Sequence, residues 1–329
     1  MAAPVGEKTR AALIWGGLAA AVAIAFVIAV AVLNATVYSA GGFVRGYVDA
    51  LDAGDTTSAL AFAGIQPTDT PGDALLTVSE KGLLGDVGIV SDSATAGGSH
   101  VVTTSFRDPA GRAHRTDFTV RPEGRFGGLF TRWTFATAPT ASLDVTPLHD
   151  ARFTANGVQI ASENAGLATR YSVLAPAVVS LSHDSTYLTA TPRTVVSASV
   201  GGVATASVTV APRSTFTEKV RQDVSKYLRT SCVPQRVLLP AGCPFGQQVD
   251  DRLTSSPTWT MTTFPPVRLT ATTTSGVWRV AEATGRAHLR VGAQSLYDGH
   301  DYTIDEDVAF TVGYVVSIGA DNGLTIRPE

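Results

Sequence analysis

The run from Ala11 to Leu33, AALIWGGLAAAVAIAFVIAVAVL, contains no charge, side-chain amide or proline in 23 residues. As a helix rising 1.5 Å per residue it would reach about 34 Å, enough to cross a hydrocarbon core of about 30 Å. Only a helix can make that crossing alone, because each backbone N–H and C=O must then be satisfied within the segment. A cleaved signal peptide is the main competing reading, but its apolar stretch normally runs about 7 to 15 residues. The best cleavage position, after Val37-Tyr38-Ser39, also departs from the small-residue pattern such sites need. Lys8 and Arg10 precede the run and the next charge after it is Arg45, so the positive-inside rule puts the N-terminus in the cytoplasm. The expected layout is a single-pass protein of the plasma membrane, with a cytoplasmic tail (1–10), a transmembrane helix (11–33), a polar tether (34–42) and extracytoplasmic domains beyond.

That topology decides how the two cysteines are read. Cys232 and Cys243 lie in SCVPQRVLLPAGCPFG, outside the reducing cytosol, so a disulfide between them is expected. Closing so short a loop contributes about 3 kcal/mol in the chain-entropy model. A metal site or a redox dithiol would need neighbouring histidines or C-x-x-C spacing, and neither is present.

After the anchor, helical periodicity returns with Phe43, Tyr47 and Leu51 spaced by four and Val44 and Val48 beside them. Gly54 ends that helix, and Asp55 is placed to cap a second one carrying Leu60 and Phe62. Past a break at Gln66–Asp73, strands are expected at Val101–Phe106, His114–Val120 and Phe130–Phe135, the first two joined by a turn through Asp108-Pro109-Ala110-Gly111. The segment FVRGYVDALDAGDTTSALAFAG, Phe43 to Gly64, resembles the opening helix pair of NTF2-like domains of bacterial envelope proteins. The resemblance implies an α+β domain over 43–138 in which helices pack on a curved antiparallel sheet. No catalytic position of that family has a counterpart here.

From Pro139 the pattern changes to short strands, with Asn156-Gly157 as the strongest hairpin signal, and residues 139–212 are expected to form a β-sandwich. Residues 213–329 read as a helix followed by an antiparallel sheet. Thr215 and Glu218 have capping-box spacing, Phe216, Val220, Val224, Tyr227 and Leu228 share one face, and strands follow at 258–264, 267–272, 277–280, 287–291, 308–318 and 324–327. The predicted fold class is thus α+β throughout. Helix first and strands afterwards repeats the plan of the first domain, which raises the expectation of a duplication. The whole layout of short tail, single anchor and row of small domains resembles the TcaA-type membrane proteins of Gram-positive bacteria, and the resemblance implies a role at the cell wall.

Chemistry is hard to find in these residues. His149-Asp150, His183-Asp184 and His300-Asp301 are adjacent pairs, but neighbours on a strand point to opposite faces, so turns are the expected setting. Asp298, Asp301, Asp305, Glu306 and Asp307 lack the spacing of a calcium loop and read as a solvated acidic loop. Trp133, Trp259, Trp278, Tyr302 and Phe310 are candidates for a ligand groove, but aromatic residues on strands are more often core. No nucleophile elbow, H-E-x-x-H, P-loop or dinucleotide fingerprint occurs. A net charge of -3 without a basic block argues against nucleic acid. Only four of the 25 basic residues are lysine, the bias of a high-GC, actinobacterial-type genome.

The expectation is therefore a structural or interaction protein of the envelope rather than an enzyme. It has no catalytic, cofactor or metal residues to name, and an envelope protein or cell-wall polymer is its partner. A ligand-binding or sensing module using an NTF2-like pocket is the first alternative, and an envelope hydrolase without a familiar motif the second.

Overall fold

A computed structural model describes residues 7–319 and 321–329, an α+β chain with one N-terminal apolar helix and a sheet-rich remainder. Helix α1, Glu7–Ala35, carries a 24-residue stretch, Ala12–Ala35, with a mean hydropathy of 2.7 and none of it buried. Such a helix, apolar on every side, has no stripe to turn towards a protein core. Its length and composition suffice to cross a membrane.

The predicted nine-residue tether shortens to Thr36–Ser39. Ser39 accepts a hydrogen bond from the Gly42 N–H at 2.9 Å, and this N-cap draws Ala40, Gly41 and Gly42 into helix α2, Ala40–Asp52. Asp55 caps α3, Thr56–Ala63, in the same way through the Ser58 N–H.

These two helices cover a four-stranded antiparallel sheet in the order β1 (Gly85–Ala94), β2 (His100–Arg107), β3 (Ala113–Phe126), β4 (Phe130–Phe135). Val44, Tyr47, Val48 and Leu51 of α2 meet Val102, Phe106, Phe118, Val120 and Phe135 in one buried cluster. Tyr47 stands edge-on to Phe118 and Phe135, with ring centroids 5.7 and 5.0 Å away. Its hydroxyl donates into the next unit, to the carbonyls of Ala175 at 2.8 Å and Pro139 at 3.2 Å, and burial pushes the phenol pKa strongly upward. The turn between β2 and β3 forms where expected. The covered Asp108 carboxylate accepts from the N–H groups of Ala110 and Arg112 and from Arg112 Nε. Burial pushes that carboxyl up, but these donors and His114 outweigh it and hold its pKa at about 2.

Residues 140–212 form two sheets. One has the order β12 (Ala211–Pro212), β10 (Leu188–Ser197), β9 (Ala177–Asp184), β6 (Arg152–Ala155), β7 (Val158–Ala161). The other is β11 (Val203–Thr209), β5 (Thr140–Leu148), β8 (Thr169–Leu174), in which β11 runs parallel to β5. Leu143, Tyr171 and Val208 from the smaller sheet share a buried cluster with Phe153, Leu181 and Leu188 from the larger. Asn156 and Gly157 make the β6–β7 turn with φ of 44° and 80°, values that favour these two residue types.

The remainder packs helix α4, Ser214–Tyr227, on a six-stranded antiparallel sheet. Its members are β13 (Arg252–Leu253), β14 (Thr258–Thr263), β15 (Leu269–Ala271), β16 (Val277–Gln294), β17 (Asp301–Ile318) and β18 (Leu324–Pro328). The expected capping box does not form. The helix starts at Ser214, Arg213 takes the cap position, Thr215 donates to the Thr186 carbonyl, and Glu218 binds Arg221. The strands predicted separately at 277–280 and 287–291 are one 18-residue strand with a register shift between Val280 and Ala283. Gly285 keeps that strand continuous, because a Cβ there would lie 2.4 Å from the Phe310 ring on its partner. Phe216, Val220 and Val224 of α4, with Leu228 just beyond it, join Trp278, Val280 and Leu289 in the cluster that also holds the core of residues 140–212. This unit has one helix on six strands, where the first has two on four.

Candidate functional site

Strands β16 and β17, 18 residues each, pair from Val277–Ser317 to Gln294–Asp301 in a hairpin about 60 Å long measured along the strand. Its turn, Ser295–His300, is built to hold one shape. Ser295 N–H donates to the His300 carbonyl at 2.9 Å, and Gly299 N–H to the Ser295 carbonyl at 3.0 Å. Asp298 accepts from the His300 N–H at 3.1 Å. Asp251, beside β13, accepts from the Leu296 N–H at 3.1 Å and from the Tyr302 hydroxyl, and these bonds, the Tyr302 one foremost, hold its carboxyl below the usual range. On this fixed frame Leu296 is 71% exposed and Tyr297 99% exposed. The bonds order the backbone that carries these two side chains, so binding there would have less backbone freedom to remove.

Along the hairpin, the acidic residues expected in a loop lie mostly on a strand. Only Asp298 is in the turn, while Asp301, Asp305, Glu306 and Asp307 belong to β17. The pairing of β17 with β16 explains it, since His288 and Arg290 stand across from Asp307 and Asp305. His288 Nε2 is 2.7 Å from Asp305 and Nδ1 is 3.0 Å from Asp307. The hydrogen bond to Asp307 raises the His288 pKa above its ordinary value; burial opposes it, and the Asp305 carboxylate adds to the rise.

His288 was not singled out in the sequence. An alternating Asp-x-Asp on a strand puts both carboxylates on one face, but the histidine opposite is known only from register. A raised folded-state pKa means that the cluster's stabilisation is complete below the unfolded value of about 6.5 and fades as pH rises through the folded value. His288→Gln is therefore expected to lower the thermal midpoint of the detergent-solubilised chain at pH ~5.5 and to have little effect at pH ~8.5. An equal shift at both pH values would show that the histidine's charge is not involved.

The three adjacent His-Asp pairs are not brought together. His149 and Asp150 sit at the β5–β6 turn, where buried Asp150 accepts from Arg152 N–H, Nε and Nη2. His183 and Asp184 end β9, contrary to the expectation of a turn, because the strand extends to pair with Thr189 and Ala190. His183 Nδ1 donates to the Arg152 carbonyl at 2.9 Å, and Asp184 pairs with Arg213. His300 lies in the hairpin turn and Asp301 begins β17. Among the described residues, no three His, Cys, Asp or Glu side chains are grouped to hold a metal ion.

Nor do the aromatic candidates line one groove. Trp259 and Phe310 pack on Phe245, Trp278 is buried beside Phe216, and Trp133 donates to the Tyr38 carbonyl near α1. Tyr302 alone belongs to the hairpin tip. A hollow of about 760 Å³ opens beside Phe43, Phe62 and Trp133, and one of about 470 Å³ between Tyr227 and Tyr314. Neither lining contains a histidine or cysteine.

Cys232 and Cys243 stand with their sulfurs 2.13 Å apart and their Cα atoms 5.6 Å apart, at disulfide distance. Cys232 is fully buried at the end of a π-type turn, Leu228–Cys232, that continues α4. The loop between the cysteines is held twice more. Gln235 donates to the Ser231 and Ala241 carbonyls and accepts from the Ala241 N–H, while Trp259 Nε1 donates to the Val237 carbonyl at 2.8 Å.

Comparison with protein-family models, curated proteins and solved structures finds no match to this chain.

Proposed function

We propose that the chain is an interaction protein of the bacterial cell envelope, anchored by α1 in the plasma membrane with its N-terminus cytoplasmic and its remaining residues outside. The observation that carries this reading is the hairpin tip, where a rigid turn presents Leu296 and Tyr297 to solvent. Tyrosine is among the commonest anchors of protein interfaces, and a turn whose backbone is already ordered lowers the cost of presenting it. The order of contacts along the chain supports a display role. The first unit reaches the second through Pro139 and Ala175, and the third meets it at the other end of β5, where Gly276 N–H donates to the His149 carbonyl and Ala151 N–H to Ser275.

On this reading the helix pair on its four-stranded sheet is an NTF2-like domain and residues 139–212 a β-sandwich that spaces the outer unit from the membrane. The cysteine pair at disulfide distance suits an oxidising compartment. The alternative of a ligand held in the NTF2-like cone is weaker, because Tyr47, Phe118 and Phe135 occupy that interior. A hydrolase is weaker too, because the Ser185 hydroxyl 3.2 Å from His183 Nε2 is bonded to the Leu188 backbone, and His183 Nδ1 donates to the Arg152 carbonyl rather than to a carboxylate.

The partner is taken to be another envelope protein. A photoreactive phenylalanine analogue in place of Tyr297 is expected to give a discrete protein adduct in intact cells, while the same group in place of exposed Ala110 gives none. Equal adduct patterns at both positions, or none at Tyr297, would count against the tip as a binding surface.

A further inference from the structure

The tip of the β3–β4 hairpin sits at the membrane-side end of the first unit and is tied to the last turn of α1. Asn34, the first polar residue after the apolar run, donates from Nδ2 to the Val30 carbonyl at 3.0 Å within the helix and to the Leu129 carbonyl at 2.9 Å on the hairpin. Its Oδ1 accepts from the Thr131 N–H at 3.1 Å, so one amide pairs with the backbone groups on either side of Phe130. Tyr38 stacks on Phe130 with ring centroids 4.4 Å apart, and Trp133 donates to the Tyr38 carbonyl at 2.8 Å. These contacts bring Leu129 to the level of the helix end. If α1 spans the bilayer, that level is the boundary between hydrocarbon and headgroups.

At this level the hairpin exposes what an aqueous turn ordinarily hides. Phe126 is 65% exposed and Leu129 43% exposed, flanking Gly127 and Gly128, whose φ values of 58° and 72° make the turn tight. Arg125 and Arg132 are exposed on either side. Apolar side chains at the tip with arginines behind them match the layering of a lipid interface, in which guanidinium groups reach the phosphates and stems and rings lie deeper.

We propose that this hairpin tip is a second membrane contact, with Phe126 and Leu129 entering the interfacial zone of the leaflet from which α1 emerges and Arg125 and Arg132 meeting lipid phosphates. The proposal rests on α1 being a membrane span. The occupant is the lipid leaflet itself, because the tip is continuous with the end of the span and bonded to it.

Spin labelling of the full chain in nanodiscs of phosphatidylcholine and phosphatidylglycerol separates the two claims. Nitroxides are placed on Phe126→Cys, with Leu129→Cys as an independent second variant, on Val22→Cys within the apolar run, and on Ala110→Cys at the opposite end of β3. Collision rates with oxygen, which partitions into lipid, and with a nickel chelate, which stays in water, report the depth of each label. The expected result is a shift to high oxygen and low nickel collision at Phe126 or Leu129, as at Val22 though smaller, with Ala110 remaining water-like. Water-like labels at both tip positions beside a lipid-like Val22 would overturn the second contact and leave the anchor standing. A water-like Val22 would overturn the anchor and this proposal with it.

Discussion

Tyr47→Ala is expected to lower the stability of the folded chain by about 3–5 kcal/mol, the range for removing a large buried aromatic side chain. Its ring is fully buried between Phe118 and Phe135, and its hydroxyl reaches the Ala175 carbonyl in the next unit. The alanine variant therefore opens a void in the first unit and removes its bonds to the second. Tyr47→Phe separates the two effects. The ring stays, Pro139 keeps its bond from the Ala175 N–H, and the Ala175 carbonyl loses the hydroxyl. An orphaned buried carbonyl costs about 1–3 kcal/mol. Thermal unfolding of the detergent-solubilised chain, followed with a probe in each unit, reads both. If Tyr47→Phe unfolds like the unaltered protein, the hydroxyl does not hold the units together.

Removing both cysteines, as Cys232→Ser with Cys243→Ser, is expected to cost about 3 kcal/mol for a loop whose ends are 11 positions apart. Reductant should lower the unfolding midpoint of the unaltered protein by a similar amount and leave the double variant unchanged. Without reductant, neither cysteine of the intact chain should label with a thiol reagent. Ready labelling of both would refute the bond. Gln235 and Trp259 also hold this loop, so the double variant is expected to fold at ambient temperature and differ mainly on heating.

Most of what is legible in the residues rests on short range, although the equally local capping box at Thr215 and Glu218 does not form. The four-residue spacing of Phe43, Tyr47 and Leu51, the cap at Asp55 and the turn at Asn156-Gly157 each depend on neighbours within one turn of chain, and each has its counterpart in the structure. Strand β1 escaped because Gly85, Asp86, Gly88, Ser91, Asp92 and Ser93 give an edge strand little apolar alternation. The long strand β16 was broken in two on paper because Glu282, Gly285 and Arg286 interrupt its hydrophobic pattern, while the backbone pairs on past a register shift. The acidic residues of β17 looked like a loop because the charges that answer them, His288 and Arg290, are brought opposite only by strand register. Of the candidate site, the sequence marks Tyr302 and Asp298 but not Leu296 and Tyr297. An apolar residue in a sequence gives no sign of whether it will face solvent, and only the folded turn shows these two exposed.

The grip of Asn34 on the β3–β4 hairpin has a mechanical consequence for a chain held in a membrane. With only four residues between α1 and α2, and Asn34 of α1 bonded to the β3–β4 hairpin, the first unit is held to the helix at two points. On the proposed topology a tilt of the span is passed on to the first unit, and the height of Tyr297 above the lipid is set by the packing of the units beyond it. A partner would be met by lateral diffusion at that height rather than by a flexible arm searching a volume. Its binding would be governed by spacing, much as two teeth engage only when their shafts are set the right distance apart.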